Sequence, residues 1–365
     1  MKDILILGGT GAMGVALVEI LSEQNRVYIT SRKTSRSQQS DNIQFITGNA
    51  MELDFLKKVT SGRRFSAIVD FMNRKFDNLK NALPILLDAT NQYVFISSAR
   101  VYAESDEPIR ETTPRLLDSS SDQEFLSTNE YSLAKAREED LLNKSGRKNF
   151  TIIRPSVTYN DYRLQLGAYE KEQWLYRVLQ GRTLVFSKDF ADKITTMTHG
   201  DDVAKGIASI IGQPKALGET FHITSPDSLT WKDVLDIYVN AIEEKTGMKV
   251  KVKMTEKTSM YAFESEKWRL KYCKLFNRRF DNSKIAEYVD VKSFIKPKDG
   301  LRQCVQNFIY SPRFSQISLE LESMHDRISN EKTPLSEFNG VKLKVHYWML
   351  RNIPWLARFI ESMAK

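Results

Sequence analysis

Tyr131 and Lys135 stand four residues apart in Tyr131-Ser132-Leu133-Ala134-Lys135, within a stretch of helical composition. That spacing places both side chains on one helix face, where the ammonium can draw a phenol's pKa down from about 10 toward operating pH. Alone, Tyr-x-x-x-Lys is usually a surface pair. Here it follows Ser97-Ser98-Ala99-Arg100-Val101-Tyr102, a serine pair at the end of a β-type run, and strand carboxyl ends are where α/β sheets hold their ligands. Upstream of both, Gly8-Gly9-Thr10-Gly11-Ala12-Met13-Gly14 closes an apolar run and opens an apolar helix carrying Val15, Leu17, Val18 and Leu21. Glycines let the chain turn sharply, let a pyrophosphate approach the backbone and let helix pack on strand, while the helix start offers free N–H groups. In this order the three motifs describe a dinucleotide site followed by an acid/base pair, with Ser98, Tyr131 and Lys135 as catalytic candidates.

The end of the second strand bears on the choice of dinucleotide. An acid there would accept hydrogen bonds from ribose hydroxyls, but the chain reads Ser31-Arg32-Lys33. A guanidinium pairs with a 2′-phosphate, so NADP(H) is favoured, with NAD(H) and a merely solvated basic turn as the alternatives. The elements that must hold these residues are legible as apolar runs over 4–7, 27–30, 43–46, 67–71, 93–97 and 150–154, alternating with helical stretches near 12–24, 52–60, 75–89 and 129–146. Repeated strand-helix-strand units predict an α/β fold, a Rossmann-type doubly wound parallel sheet over 1–160 with later returns to it. A smaller C-terminal α/β substrate lobe is expected over 161–312, with helices near 170–180, 201–211, 231–245 and 264–276 and short strands over 220–223 and 250–254. Residues 313–365 read as a basic amphipathic extension.

With these motifs the sequence resembles the extended short-chain dehydrogenase/reductases, the NAD-dependent epimerase/dehydratase family, most clearly over residues 1–235. Further carriers are Gly48-Asn49-Ala50, the run from Val69 to Asn73, Glu139, Thr151 to Pro155, His199-Gly200-Asp201-Asp202-Val203-Ala204 and Gly218-Glu219-Thr220-Phe221. Phe280-Asp281-Asn282-Ser283-Lys284 is similar to a later family segment. The resemblance implies that Tyr131 is the general acid/base, that Lys135 tunes it and binds the nicotinamide ribose, and that Ser98 hydrogen-bonds the reacting oxygen. It implies cofactor contacts from Gly8, Thr10, Gly11, Ala12, Met13, Gly14, Ser31 and Arg32. Asn49 and Ala50 would meet the adenine end, Phe71, Met72 and Asn73 would line the cofactor, and Pro155 would lie near the nicotinamide. Departures matter too. Only 26 residues separate Asp70 from Ser97, Asn49 stands where an aspartate is common, Thr195 replaces an arginine that often holds a sugar-nucleotide phosphate, and Ala99-Arg100 replaces the dehydratases' Asp-Glu pair. A nucleotide-sugar dehydratase is therefore disfavoured. The expected activity is epimerisation or reduction at a sugar or nucleotide-sugar carbinol. The competing reading is a dinucleotide-binding sensor or RNA-binding module without turnover.

Composition bounds the remaining classes. The chain has 365 residues, 41% hydrophobic, and 54 Lys plus Arg against 46 Asp plus Glu, enough apolar content for a buried core and against global disorder. Cys273 and Cys304 form neither a disulfide framework nor a zinc ribbon, and the four histidines lack ligand spacing, so no metal is expected. The short apolar run after Met1 suits neither signal peptide nor span, which predicts a cytoplasmic protein. Residues 245–280 hold 11 cations and 3 acids, a local +8 equal to the whole net charge. Within them Trp268, Tyr272, Phe276 and Phe280 recur every fourth residue. The expectation is a lobe helix with its aromatics in the core and its cations solvated, a nucleotide or RNA phosphate surface being the alternative. Nucleic acid is therefore not the favoured partner, and a homodimer is left open. The tail from Lys342 to Lys365, with Trp348 and Trp355, is expected to pack on the body or a second subunit rather than lie on a membrane.

Overall fold

The computed structural model describes residues 1–9, 11–32 and 41–356, without the side chain of Ala12. Seven parallel strands form the main sheet: β1 (Asp3–Leu7), β2 (Arg26–Ser31), β3 (Ile43–Thr47), β4 (Ala67–Asp70), β5 (Tyr93–Ile96), β6 (Phe150–Pro155) and β7 (Glu219–Ile223). Their order is β7-β6-β5-β4-β1-β2-β3, reversing direction at β1 as a doubly wound sheet does. The helices that cover it are α1 (Ala12–Ser22), α2 (Leu53–Thr60), α3 (Phe76–Asp88), α4 (Tyr131–Asn143) and α5 (Gly200–Ile210).

The apolar runs of the inner strands are continuous because both of their faces are buried, whereas the edge strand β3 is only half-buried. In β1, Ile4 and Ile6 join Leu17 and Val18 of α1 and Val203 and Ile207 of α5. Leu5 and Leu7 point the other way, into a second core with Leu56 of α2 and Leu79, Leu83 and Leu86 of α3. The two-residue alternation of strand side chains thus splits one run, Ile-Leu-Ile-Leu, between two hydrophobic layers. Each buried leucine or isoleucine contributes about 1.5–3 kcal/mol.

The chain divides into two compact units: residues 1–160, 195–228 and 277–297 form the first, and 161–194, 229–276 and 298–365 the second. The helix near 201–211 and the strand over 220–223, expected in the smaller lobe, belong instead to the first unit. Residues 200–210 supply α5, and the last segment pairs Phe280 with Ile109 while Arg278 donates to the carbonyl of Tyr102 at 3.0 Å.

In the second unit, strand Leu184–Ser187 pairs in parallel with Val252–Thr255. Trp174, on helix Lys171–Leu179, stacks on Tyr238 of helix Trp231–Thr246 with centroids 4.8 Å apart. Arg177 is fully buried and paired with Glu322 at 2.7 Å and Asp326 at 3.2 Å. Helix Val341–Asn352 docks on helix Leu319–Ser329 through buried Tyr347, whose hydroxyl donates to Asp326 at 2.6 Å. Trp348 and Trp355 stay exposed, and the tail beyond residue 356 lies outside the described residues. Among the described residues no helix is long and apolar enough to cross a membrane.

A second expectation is overturned. The stretch 264–276 is not a regular helix with an aromatic core face: a turn at Glu264–Glu266 leads into a short helix, Lys267–Arg269, and then a π-helical turn, Leu270–Lys274. Leu270 and Lys274 are the buried residues, whereas Trp268, Tyr272 and Phe276 are half-buried. A π turn bonds residue i to i+5, so a four-residue repeat no longer falls on one face. The aromatics cover one another instead, Trp268 stacking on Tyr272 at 6.0 Å, and the Lys274 ammonium sits 5.3 Å over the Trp231 ring. Phe280 belongs to the first unit.

Candidate active site

The glycine turn joins β1 to α1. Gly8 has φ +77°, a conformation costly for any residue with a Cβ, and its N–H donates to Thr30 Oγ1 at 3.2 Å. A Cβ on Gly14 would lie 2.7 Å from the backbone of Gly9, so the helix start and the strand end touch through bare main chain. Gly11 caps α1 in extended geometry, and a Cβ there would meet nothing within 4 Å. No acid occupies the first turn of α1. An open cradle of backbone N–H groups at a positive helix end suits a pyrophosphate. Thr10 lies outside the described residues, as does Lys33; Met13, in the first turn of α1, packs against the core.

The other expected cofactor positions gather at the carboxyl ends of neighbouring strands. Ser31 ends β2, its carbonyl accepts the N–H of Gly48 at 2.9 Å, and Arg32 is exposed immediately after it. Asn49 is occupied with its own loop: Oδ1 accepts the N–H of Met51 at 3.1 Å and Nδ2 donates to Glu52 at 3.0 Å, while Ala50 is buried. Phe71 and Met72 are half-buried and Asn73 is exposed beyond β4. Asp70, at the end of β4, accepts from Arg74 Nε and from the Tyr93 hydroxyl, both at 2.8 Å, and from the Met72 N–H at 2.9 Å, which fixes the loop. Pro155 is the last residue of β6 and is buried opposite Ile223.

The catalytic candidates lie on two adjoining elements, Ser98 just past the end of β5 and Tyr131 and Lys135 on α4. Ser98 is nearly buried, and its Oγ accepts the N–H of Arg100 at 3.2 Å, which leaves the hydroxyl proton to be donated. Tyr131 is the first residue of α4 and 37% exposed; Lys135, one turn on, is 4% exposed. The Lys135 ammonium lies 6.0 Å from the Tyr131 ring centroid and 4.9 Å from that of Phe95.

The sequence pattern assigns no role in the site to three neighbours. Glu138 accepts from Lys135 at 2.9 Å, both side chains being buried. Burial pushes the Glu138 carboxyl up from its usual range, and the Lys135 ammonium pulls it partway back. The i, i+3 spacing to Lys135 was the available signal. Arg100 lies with its guanidinium carbon 5.0 Å from the Tyr131 ring centroid and pairs with Glu130. Glu139, by contrast, works beneath the site: it accepts from Ser97 at 2.6 Å and from Arg154 at 2.8 and 2.6 Å, tying β5, α4 and β6 together.

Among the described residues no group of three or more His, Cys, Asp or Glu is placed to hold a metal ion.

Comparison with known proteins adds three findings. Residues 4–224 match the model of the NAD dependent epimerase/dehydratase family. Two curated relatives are a chloroplast stem-loop binding protein of 41 kDa from Arabidopsis thaliana, 27% identical over 63% of this chain and 60% of its own length, and 2′-dehydrokanamycin reductase from Streptomyces kanamyceticus, 21% identical over 64% of each. The chain thus spans less than two thirds of the length of either. Among solved structures, UDP-glucuronic acid 4-epimerase from Bacillus cereus, in complex with UDP-glucuronic acid and NAD, superposes with a TM-score of 0.62 at 14% identity, covering 85% of this chain and 100% of that one. The family match extends over more than half of the chain and takes in the glycine turn, Ser98, Tyr131 and Lys135, so this protein belongs to the NAD-dependent epimerase/dehydratase family.

Proposed function

We propose that the protein is an NAD(P)-dependent epimerase or reductase acting on the carbinol or ketone of a sugar or nucleotide sugar. The observation that carries this reading is the packing of the turn that follows Ser98 on the helix bearing Tyr131 and Lys135, with Arg100 of that turn 5.0 Å from the Tyr131 ring centroid, in a sheet whose first turn is a bare glycine cradle. A nicotinamide dinucleotide, when bound, supplies the hydride acceptor or donor. Gly8, Gly9, Gly11 and Gly14 would hold its pyrophosphate, and Arg32 would pair with the 2′-phosphate of NADP(H). Ser98 donates its hydroxyl proton to the reacting oxygen. Tyr131 takes the proton from a substrate hydroxyl during oxidation, or returns it to the oxygen during reduction. Lys135 places positive charge beside the phenol from a buried position where Glu138 holds it still. The decisive experiment follows nicotinamide oxidation or reduction by the purified chain across a panel of keto sugars and nucleotide sugars. Turnover that disappears in Tyr131→Phe supports the reading; a wild-type protein that binds dinucleotide tightly yet turns over nothing in the panel speaks against it.

A second reading has its own observation. Lys249, Lys251, Lys253 and Lys257 form a row of exposed cations along and beside strand Val252–Thr255 in the second unit. The relative named for stem-loop binding gives such a row a counterpart partner, a looped RNA held through its phosphates. Under this reading the chain is a dinucleotide-binding RNA module, and Tyr131→Phe leaves its activity intact. An intact Ser98-Tyr131-Lys135 set favours the enzyme, since RNA binding has no use for a tuned phenol.

A further inference from the structure

Helix Val341–Asn352 of the second unit is docked by one side and bare on the other. Tyr347 and Leu350 are its buried residues: the Tyr347 ring lies 4.8 Å from that of Phe338, its hydroxyl donates to Asp326 at 2.6 Å, and Arg327 donates to the Leu350 carbonyl. Helical spacing then sends Val341, Val345 and Trp348, at i, i+4 and i+7, to the opposite side. Their exposures are 76%, 50% and 45%, and Trp355, just past the helix, is 71% exposed. The outward side of a surface helix is ordinarily its polar one, whereas this one carries an apolar row.

The charge around this row has one sign. Lys342 and Lys344 stand to either side of it, and the helix contains no acid. Arg351 is a third cation; it donates to the Glu331 carbonyl at 3.0 and 2.8 Å and to the Asn352 amide oxygen at 3.3 Å, neutral acceptors that leave its charge in place. Carboxylates in the segments packed against the helix are turned inward: Glu322 and Asp326 pair with Arg177 at 2.7 and 3.2 Å, and Glu337 pairs with Arg182 at 2.6 Å. An apolar row between cations is complementary to an anionic surface with an apolar layer beneath it. A second copy of this chain is a poor occupant, because two such helices face to face would set Lys342 and Lys344 of one against those of the other. Nucleic acid suits the cations and the indoles but offers nothing to Val341 and Val345.

We propose that this side of helix Val341–Asn352 docks the protein on an anionic lipid bilayer, the helix lying in the plane of the surface with Val341, Val345 and Trp348 at the boundary of headgroups and acyl chains and Lys342 and Lys344 among the lipid phosphates. At about 18 Å the helix is too short to span a bilayer and long enough to lie on one. Indole rings are favoured at that depth, where the apolar ring and the polar N–H are both satisfied. Apolar burial and attraction to anionic headgroups then act together, each alone giving weaker binding. The proposal concerns the second unit and stands apart from the reading of Tyr131 as an acid/base.

The test uses the full chain and vesicles of two compositions, phosphatidylcholine alone and phosphatidylcholine mixed equally with phosphatidylglycerol. The chain should sediment with the second and not with the first, and less so as salt is raised. Lys342→Gln with Lys344→Gln should weaken binding at least about tenfold, since each cation near such a surface contributes roughly fivefold. Val345→Ser with Trp348→Ser should abolish it while the melting temperature holds, both side chains being exposed. Lipid brominated in its acyl chains should quench tryptophan emission in the wild type, and Trp348→Phe with Trp355→Phe should remove that quenching, because Trp174 and Trp231 are buried. Failure to sediment with either vesicle, or binding that survives Val345→Ser with Trp348→Ser, overturns the proposal. So does a dimer in lipid-free buffer that the same double substitution dissociates, which would seat a second copy on the face, or hairpin RNA binding that it abolishes. If the serine variant does not fold, the quenching decides, and an unquenched wild type overturns the proposal.

Discussion

Under the proposed function, Tyr131, Lys135 and Ser98 would divide a single proton transfer among an exchanger, a charge and a donor. Removing the Tyr131 hydroxyl should therefore lower turnover about 10²- to 10⁴-fold while leaving dinucleotide affinity nearly unchanged. Lys135→Met should damage both, because in the proposed reading the buried ammonium would serve the phenol and also bind the nicotinamide ribose. Steady-state rates and dinucleotide titration of the two variants separate these effects, and a Tyr131→Phe enzyme keeping a tenth of its activity would rule out the assignment. Under the same proposal Arg32 would govern the choice of cofactor. It is exposed at the end of β2 with no acid beside it in the described chain, and a charge-assisted contact to a 2′-phosphate is worth about 1.5–3 kcal/mol. NADP(H) should bind at least about tenfold more tightly than NAD(H), and Arg32→Ala should erase the difference. Equal affinities in the wild type would place the guanidinium in solvent.

Among the elements, the glycine turn makes a prediction from two of its own members. Gly14→Ala drives a Cβ into the backbone of Gly9 and should lower the melting temperature as well as abolish dinucleotide binding. Gly11→Ala meets open space and an ordinary backbone conformation, so the fold should hold while binding weakens, because the new methyl intrudes on the cradle. Thermal melts with and without dinucleotide distinguish the two. The π-helical turn gives a second contrast. Leu270 is fully buried, and Leu270→Ala should cost about 2–5 kcal/mol in urea unfolding. Half-buried Trp268 should cost less on truncation, the reverse of what its size and its place in an apparent stripe suggest.

Over the whole molecule, acid should weaken the fold through buried imidazoles. His325 is 1% exposed with its Nε2 against Ser259 at 2.9 Å, and burial followed by the Arg177 charge holds its pKa down to about 3. Burial likewise lowers His222. Near neutral pH both forms of the chain carry these rings uncharged. Below about pH 6.5 the unfolded chain takes up protons that the folded chain refuses, so stability falls as pH drops toward 3, by at most about 1.4 kcal/mol per unit for each ring. The measurement is urea unfolding from pH 7 to pH 4, where His325→Gln should flatten the slope. At the same scale, the exposed row from Lys249 to Lys257 decides between the two functional readings. If RNA is a partner, hairpin binding should fall steeply with salt and weaken on joint replacement of Lys249, Lys251 and Lys253 by Gln.

What the chain alone determined is whatever depends on short spacing. The apolar runs that become β1 to β7, the glycine turn between β1 and α1, and the i, i+4 placement of Tyr131 and Lys135 are written in local periodicity, since strand and helix repeats are only two and 3.6 residues long. Tertiary structure decided the rest. It brought Arg100 onto Tyr131 across 31 residues, returned 195–228 and 277–297 to the first unit, and sent Glu139 beneath the sheet to Arg154 while Glu138 turned to Lys135. Adjacent glutamates of identical type part company because each buried carboxylate must find a cation on whichever side of the helix it points, and the location of that cation is fixed by sheet order and not by spacing along the chain. The π turn at Leu270–Lys274 follows the same logic: a helical repeat predicts one face, but burial of Leu270 and the contact of Lys274 with Trp231 select another.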